Sequence, residues 1–205
     1  MSLRDSSQLV YVIDDDEAVR DSMGMLLESA DLPCQCFASA DDYLAARDGN
    51  ERGCLVLDIR MPGTTGLELQ RRLTEAGSTL PVIFMTGHGD VPMAVEAMRQ
   101  GALDFMRKPV NESDFIERIA QALDQEAGNW HQKLDREQLM RRLGELTERE
   151  QEVFAEVAEG KANKTIAAEL GISERTVEVH RAQVMKKLDA RNLAQLVRIY
   201  LQTRD

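Results

Sequence analysis

The stretch Val10-Tyr11-Val12-Ile13-Asp14-Asp15-Asp16-Glu17 decides how the rest of the chain is read. Four β-prone residues run directly into four acids. The apolar run reads as a buried strand. Carboxylates crowded at its end repel one another, and like charges held close raise each other's pKa. One reading is a solvated loop, with the N-terminus of a following helix favouring the acids. The other is a site for a hard divalent cation, since magnesium takes oxygen ligands and is held by one or two protein carboxylates with water and phosphate. Both readings stay open on this stretch alone.

Working outward, further apolar runs occur at 34–37, 54–57, 81–85 and 102–106. Between runs lie segments of helical period: Val19, Met23, Leu26, Leu27 and Ala30; Leu67, Leu69 and Leu73; Val95 and Met98; and Phe115, Ile116, Ile119, Ala122 and Leu123. Strand alternating with helix five times predicts a parallel sheet with helices on both faces. Ligands of such sheets bind outside the carboxyl ends of the strands. Those ends read Asp14-Asp15-Asp16, Asp58, Thr86-Gly87 and Arg107-Lys108-Pro109. Acids, a hydroxyl and a lysine are therefore expected on one rim.

The 205 residues suit one large or two small domains. No apolar run approaches the ~18 residues needed to span a bilayer. The opening M-S-L-R-D-S-S-Q lacks the apolar segment of a secretion signal. A cytoplasmic location without a membrane partner is expected. Cys34, Cys36 and Cys54 read as core or surface thiols, because Cys34-Gln-Cys36 has the wrong spacing for a structural zinc pair. The net charge of −11 is unevenly spread. Residues 1–127 carry 11 Lys+Arg against 23 Asp+Glu, a net of −12, whereas residues 160–205 carry 9 against 5, a net of +4. A basic cluster is the footprint of phosphate-backbone binding.

The last 60 residues lose the strand signal. Thr147 to Glu150 spells a capping box, opening a helix with Val153, Phe154 and Val157 inward. A second helix is predicted over 163–170, a third over 174–188 and a fourth over 192–201. Gly171-Ile172-Ser173 joins the second and third as a tight turn, which fits a helix-turn-helix. The charged, proline-free stretch 128–145 reads as a helical linker with Gly128 as its weak point. The expected domains are 1–127, the linker 128–145, and 146–205.

The acidic rim suggests a chemistry. Asp58, beside Asp14, Asp15, a cation and Lys108, can act as a nucleophile that takes up a phosphoryl group as an acyl phosphate. Such transfer depends on positioning and charge neutralisation. Lys108 would pair with one phosphoryl oxygen and Thr86 would hydrogen-bond another. In the third C-terminal helix, Val177, Val184 and Leu188 fall inward while Arg175, Glu178, Val179, Ala182 and Lys186 fall outward. That outward face fits a DNA major groove about 12 Å wide.

At this point the chain resembles a two-component response regulator of the NarL/FixJ family. The receiver motifs are V-I-D-D-D, L-V-L-D-I-R-M-P-G, I-F-M-T-G-H-G-D-V-P-M-A-V-E-A-M and D-F-M-R-K-P; the third is similar to the FixJ branch. The run K-T-I-A-A-E-L-G-I-S-E-R-T-V-E-V-H resembles the family's LuxR-type helix-turn-helix. The resemblance implies a flavodoxin-like receiver with a doubly wound five-stranded sheet, joined to an all-α four-helix DNA-binding domain. It implies that Asp58 accepts phosphate from a sensor histidine kinase. Magnesium (or manganese) would be held by Asp14, Asp15, Asp58 and the backbone carbonyl of Arg60. Asp16 falls outside the acidic pair and is expected to be solvated.

Thr86 and Phe105 match the family's switch positions, and the Lys108-Pro109 bond is expected to be cis. Arg60 and His88 occupy positions that tune dephosphorylation in similar receivers. Glu178, Val179 and Ala182 take base-facing positions, with Thr176 in the same contact set. Lys164, Arg175, Arg181, Lys186 and Lys187 are phosphate candidates. A departure from some family members lies at Glu178 and Ala182, which replace a lysine or another polar group. The implied partners are the kinase, double-stranded DNA, RNA polymerase and a second copy of the chain on phosphorylation.

Two other readings compete. One is an aspartate-nucleophile phosphatase or metal-dependent hydrolase, whose D-x-D motif and substrate cap the sequence does not match. The other is a constitutive DNA binder, against which Asp58, Thr86 and Lys108 argue. The expected role is that of a regulator and not an enzyme.

Overall fold

The computed structural model describes residues 7–87 and 91–203. The chain divides into two compact units, Met1–His131 and Gln132–Asp205. The first contains β1 (Leu9–Ile13), β2 (Cys34–Phe37), β3 (Gly53–Asp58), β4 (Val82–Thr86) and β5 (Asp104–Arg107). All pair in parallel, in the order β2-β1-β3-β4-β5. The helices are α1 (Glu17–Ser29), α2 (Ala40–Ala46), α3 (Gly66–Glu75), α4 (Val91–Arg99) and α5 (Glu112–Gly144), the last continuing into the residue range of the second unit.

The period-two alternation of strands builds two cores from one sheet. Tyr11, Ile13, Leu55, Leu57 and Phe84 point to one face, where Tyr43, Leu69, Leu73 and Ala97 of α2, α3 and α4 cover them. Val10, Val12, Cys54, Val56, Ile83 and Met85 point to the other, covered by Met23 and Leu27 of α1 and by Phe115 and Ile119 of α5. Strands buried on both faces explain why the sequence shows continuous apolar runs there instead of alternation. The seven-residue α2 is too short to show a period in sequence. β5 begins two residues into its apolar run, because the amides of Gly101 and Ala102 still bond back to α4 at Met98 and Ala97.

The strand order reverses between β1 and β3, so the carboxyl ends of those strands border the crevice where such folds bind ligands. Gly66, the first residue of α3, lies against this end. A Cβ there would stand 2.2 Å from the carbonyl oxygen of Asp58. Only glycine lets α3 start so close to the end of β3.

The second unit contains α6 (Glu148–Ala158), α7 (Asn163–Leu170), α8 (Glu174–Lys187) and α9 (Leu193–Gln202) around Val153, Val157, Ile166, Val177, Val184, Leu188 and Leu196. The capping box of Thr147 and Glu150 is formed in both directions. Gly171 takes a left-handed conformation at φ 66°, Ser173 caps α8, and Asn192 caps α9. α5 passes through Gly128 without a break.

Candidate functional site

Four elements place side chains on the rim. Asp14 follows β1, Asp58 closes β3, Thr86 closes β4 and Lys108 follows β5. Asp14, Asp58 and Thr86 are buried, at 3%, 8% and 4% exposure. The ammonium of Lys108 donates to Asp58 Oδ1 at 2.6 Å and also to Asp14 Oδ2. Two buried carboxylates thus share one cation, and the cluster carries surplus negative charge.

Burial raises the pKa of Asp14 above its ordinary value, despite the hydrogen bonds from Lys108 and from the Asp16 amide. Burial also works against the charge of Lys108, but its hydrogen bonds to Asp14 and Asp58 prevail and hold its pKa above the usual lysine value. The directions differ in their balance: Lys108 gains two carboxylate partners, whereas burial and the nearby charge of Asp58 outweigh the hydrogen bonds that Asp14 accepts.

The other oxygens of the two carboxylates are held by backbone. Asp58 Oδ2 accepts from the amide of Arg60 at 2.6 Å, and Asp14 Oδ1 accepts from the amide of Asp16 at 3.0 Å. The amide of Lys108 donates to the Thr86 carbonyl at 2.7 Å, tying the end of β5 to the end of β4. The Lys108-Pro109 bond is cis, as the resemblance implies. Sequence reading missed Arg20, whose guanidinium donates to the carbonyl of Asp14 at 2.7 Å from the first turns of α1. Nothing in the spacing of a surface arginine signals that contact.

The four acids of the opening stretch part ways. Asp14 turns into the rim. Asp16 is exposed, as expected, and also caps α1 by accepting from the amide of Ala18 at 2.9 Å. Asp15 and Glu17 are exposed. Among the described residues no three His, Cys, Asp or Glu side chains gather into a metal-binding group. The structure therefore brings together two of the three expected carboxylates, Asp14 and Asp58. That pair still fits magnesium: it offers hard oxygens and surplus negative charge, and magnesium needs only one or two protein carboxylates.

Phe105 lies on β5 opposite Phe84 and packs, half-buried, against the core beneath α3 and α4. Arg60 is exposed, with its guanidinium 3.8 Å from the Met93 sulfur. His88 lies outside the described residues.

α8 presents two faces. Val177, Val184 and Leu188 are buried beneath it. Arg175, Glu178, Val179, Ala182 and Lys186 are exposed, as is Lys164 on α7. Val179 is a large apolar side chain left 54% exposed. The remaining candidates are already engaged. Thr176 Oγ1 shares a hydrogen bond with Ser173, and Arg181 donates to Asn163 Oδ1 at 2.6 Å. Lys187 donates to the buried Glu150 at 2.6 Å and to the Glu145 carbonyl at 3.0 Å. Its ammonium is thus spent inside the unit, a use that the K-K pair in the sequence does not reveal.

The comparisons with known proteins agree with this geometry. Residues 10–120 match the response regulator receiver domain, and residues 144–200 match the bacterial regulatory proteins of the luxR family. The chain is 48% identical over 192 residues to the transcriptional regulatory protein FixJ of Azorhizobium caulinodans, covering 94% of this chain and 91% of that one. It is 40% identical to the response regulator protein TmoT of Ectopseudomonas mendocina, covering 99% and 92%. Among solved structures, the response regulator StyR superposes with a TM-score of 0.87 at 42% identity, covering 96% of this chain and 100% of that one. Full-length FixJ from B. japonicum gives 0.60 at 42% identity, covering 96% and 97%.

The chain therefore belongs to the two-component response regulators that join a receiver to a LuxR-type DNA-binding domain. Receivers of this family generally bind magnesium at their acidic pocket. Among the described residues, no helix is long and apolar enough to cross a membrane.

Proposed function

We propose that this chain is a phosphorylation-gated transcription regulator in which Asp58 is the phosphoacceptor and α8 the DNA-reading helix. The observation that carries the proposal is the meeting of Asp14, Asp58 and Lys108 where β1, β3 and β5 release the chain. We take 1–127 as receiver, 128–145 as linker and 146–205 as DNA-binding domain.

In the transfer, a carboxylate oxygen of Asp58 bonds to the phosphorus as the bond to the donor histidine nitrogen breaks, giving an acyl phosphate. The amide of Arg60 and the ammonium of Lys108 orient that carboxylate. Lys108 then follows the charge to a phosphoryl oxygen, and the Thr86 hydroxyl donates to another. Asp15, Asp58 and the Arg60 carbonyl would hold magnesium, with Asp14 acting through water. Bound there, the ion would neutralise charge on the phosphoryl oxygens.

Phosphorylation adds roughly one to two negative charges to the rim. Thr86 and Phe105 shift to accommodate them, which reshapes the surface of α4 and β5 and favours a symmetric dimer. Paired α8 helices then meet half-sites related by a two-fold axis. Glu178, Val179 and Ala182 face the bases. Lys164, Arg175 and Lys186 contact phosphates. Thr176 and Arg181 take part only if they exchange their present partners, and Lys187 stays with Glu150. The sensor kinase, DNA and RNA polymerase are the partners in the cytoplasm, and regulation rather than turnover is the output.

The test is to treat wild type and Asp58→Asn with acetyl phosphate and magnesium, then measure mass and oligomeric state. One phosphoryl group on wild type alone, with a shift toward dimer, is the expected outcome. An unmodified wild type, under conditions that modify a known receiver, would sink the assignment of Asp58.

A further inference from the structure

β2 lies at the edge of the sheet and carries two cysteines, Cys34 and Cys36, which the phosphorylation chemistry does not use. They pair with Val10 and Val12 of β1, whose side chains belong to the core beneath α1. Side chains two residues apart on a strand share a face, so both thiols stand on the α1 side of the sheet. Their contacts agree. Cys34 packs against the core on that side, and the Cys36 thiol donates to the Arg20 carbonyl of α1 at 3.9 Å. Burial raises the pKa of Cys36, and the Cys34 thiol raises it further, through its charge and through a hydrogen bond. The two sulfurs are therefore neighbours. Both can be reached from outside: Cys36 is exposed, and Cys34 borders an open crevice with Gly24, Glu28 and Asp31. Gly24 brings no side chain to close that crevice.

We propose that Cys34 and Cys36 together bind a soft cation of low coordination number, with Cu(I) as the fitting example. Thiolates select such ions. A structural zinc site would need four ligands, and among the described residues no third His, Cys, Asp or Glu completes a metal-binding group. A disulfide fits the strand less well. Cα atoms two residues apart on a parallel strand stand about 6.6 Å from one another. That is the far end of the disulfide range of roughly 4.4–6.8 Å, so a direct S–S bond would pull β2 together. A cation between the sulfurs, at ~2.3 Å per bond, lets them stay about 4.6 Å apart. Each thiol gives up its proton to solvent as its bond to the metal forms, and the complex keeps one net negative charge. Glu28 and Asp31 draw a cation toward the crevice, and Arg20 stands near Cys36 to offset the thiolate charge.

The test is an anaerobic titration of the reduced full chain against bicinchoninate, a coloured Cu(I) chelator. Wild type should withdraw one Cu(I) per chain, with new thiolate-to-copper absorption in the near ultraviolet. Cys34→Ser and Cys36→Ser should each weaken binding by more than the roughly 100-fold that disturbing an outer-shell partner can cost. Cys54→Ala removes a thiol closed off in the core and should keep the copper. Circular dichroism confirms that each variant is folded, and Cys36 lies at the surface, where exchange for serine leaves the core intact. A folded wild type that leaves all the copper on the chelator would overturn the proposal. Equal affinity in Cys36→Ser would also overturn it, because the two sulfurs would then not act together. Zinc held as tightly as Cu(I) would overturn the assignment to a soft, low-coordinate ion.

Discussion

The acidic rim of the sheet and the outer face of α8 carry charge in opposite ways. At the rim, Asp14 and Asp58 are buried and share one ammonium, so each atom has a fixed neighbour and a fixed role. On α8, Arg175, Glu178 and Lys186 stand in solvent above a buried apolar seam. A buried site is suited to chemistry on one atom, and an exposed face to many additive contacts. Two lysines sharpen the contrast. Both Lys108 and Lys187 hold buried carboxylates, yet Lys108 faces two of them and leaves charge unbalanced, whereas Lys187 and the capping box satisfy Glu150.

Substitution should expose this difference, and the largest effect is expected at Asp58. Asp58→Asn should abolish phosphoryl uptake from acetyl phosphate, read by intact mass, while leaving the DNA-binding unit folded. Next in size is the seam beneath α8. Leu188→Ala empties a site 1% exposed and should cost about 2–5 kcal/mol in denaturant unfolding of the second unit. Phosphoryl uptake at Asp58 should be unaffected.

The exposed face should respond more gently. Lys186→Ala should weaken DNA binding on all sequences alike and lower the slope of log affinity against log salt by about one. An unchanged slope would remove Lys186 from the phosphate contacts.

The smallest effect separates Lys187 from Lys186. Lys187→Ala should leave the salt slope unchanged and cost about 1 kcal/mol of stability. The hydrogen bond from Lys187 and the backbone amide of Thr147 hold the Glu150 pKa below its ordinary value. A depressed carboxylate pKa adds stability that is fully present above the unfolded value and fades as pH falls through the folded one. Unfolding curves from neutral pH downward should show that acid-sensitive part shrinking in Lys187→Ala.

Much of this was legible in the sequence. The strands and their rim residues announce themselves because a doubly covered sheet needs unbroken apolar runs, and the residue after each run must sit at the rim. The capping box at Thr147 follows from local backbone chemistry, and the structure forms it, together with caps at Ser173 and Asn192. What stayed hidden depends on partners distant in sequence. Lys187 meets Glu150 across 37 residues and Arg52 meets Glu126 across 74, and no local pattern encodes either pair. Tyr43 likewise sits in a helix too short to show a period, so its buried hydroxyl could not be read.

The most direct test of the whole account is whether the state of Asp58 controls what α8 does. Full-length wild type and Asp58→Asn, each treated with acetyl phosphate and magnesium, would be used to select duplexes from a random-sequence pool. The account predicts that only wild type enriches a two-fold symmetric site, and that Asp58→Asn recovers sequences without a shared motif. Equal enrichment of the same site by both proteins would contradict it, making the chain a constitutive DNA binder whose rim no longer gates its output.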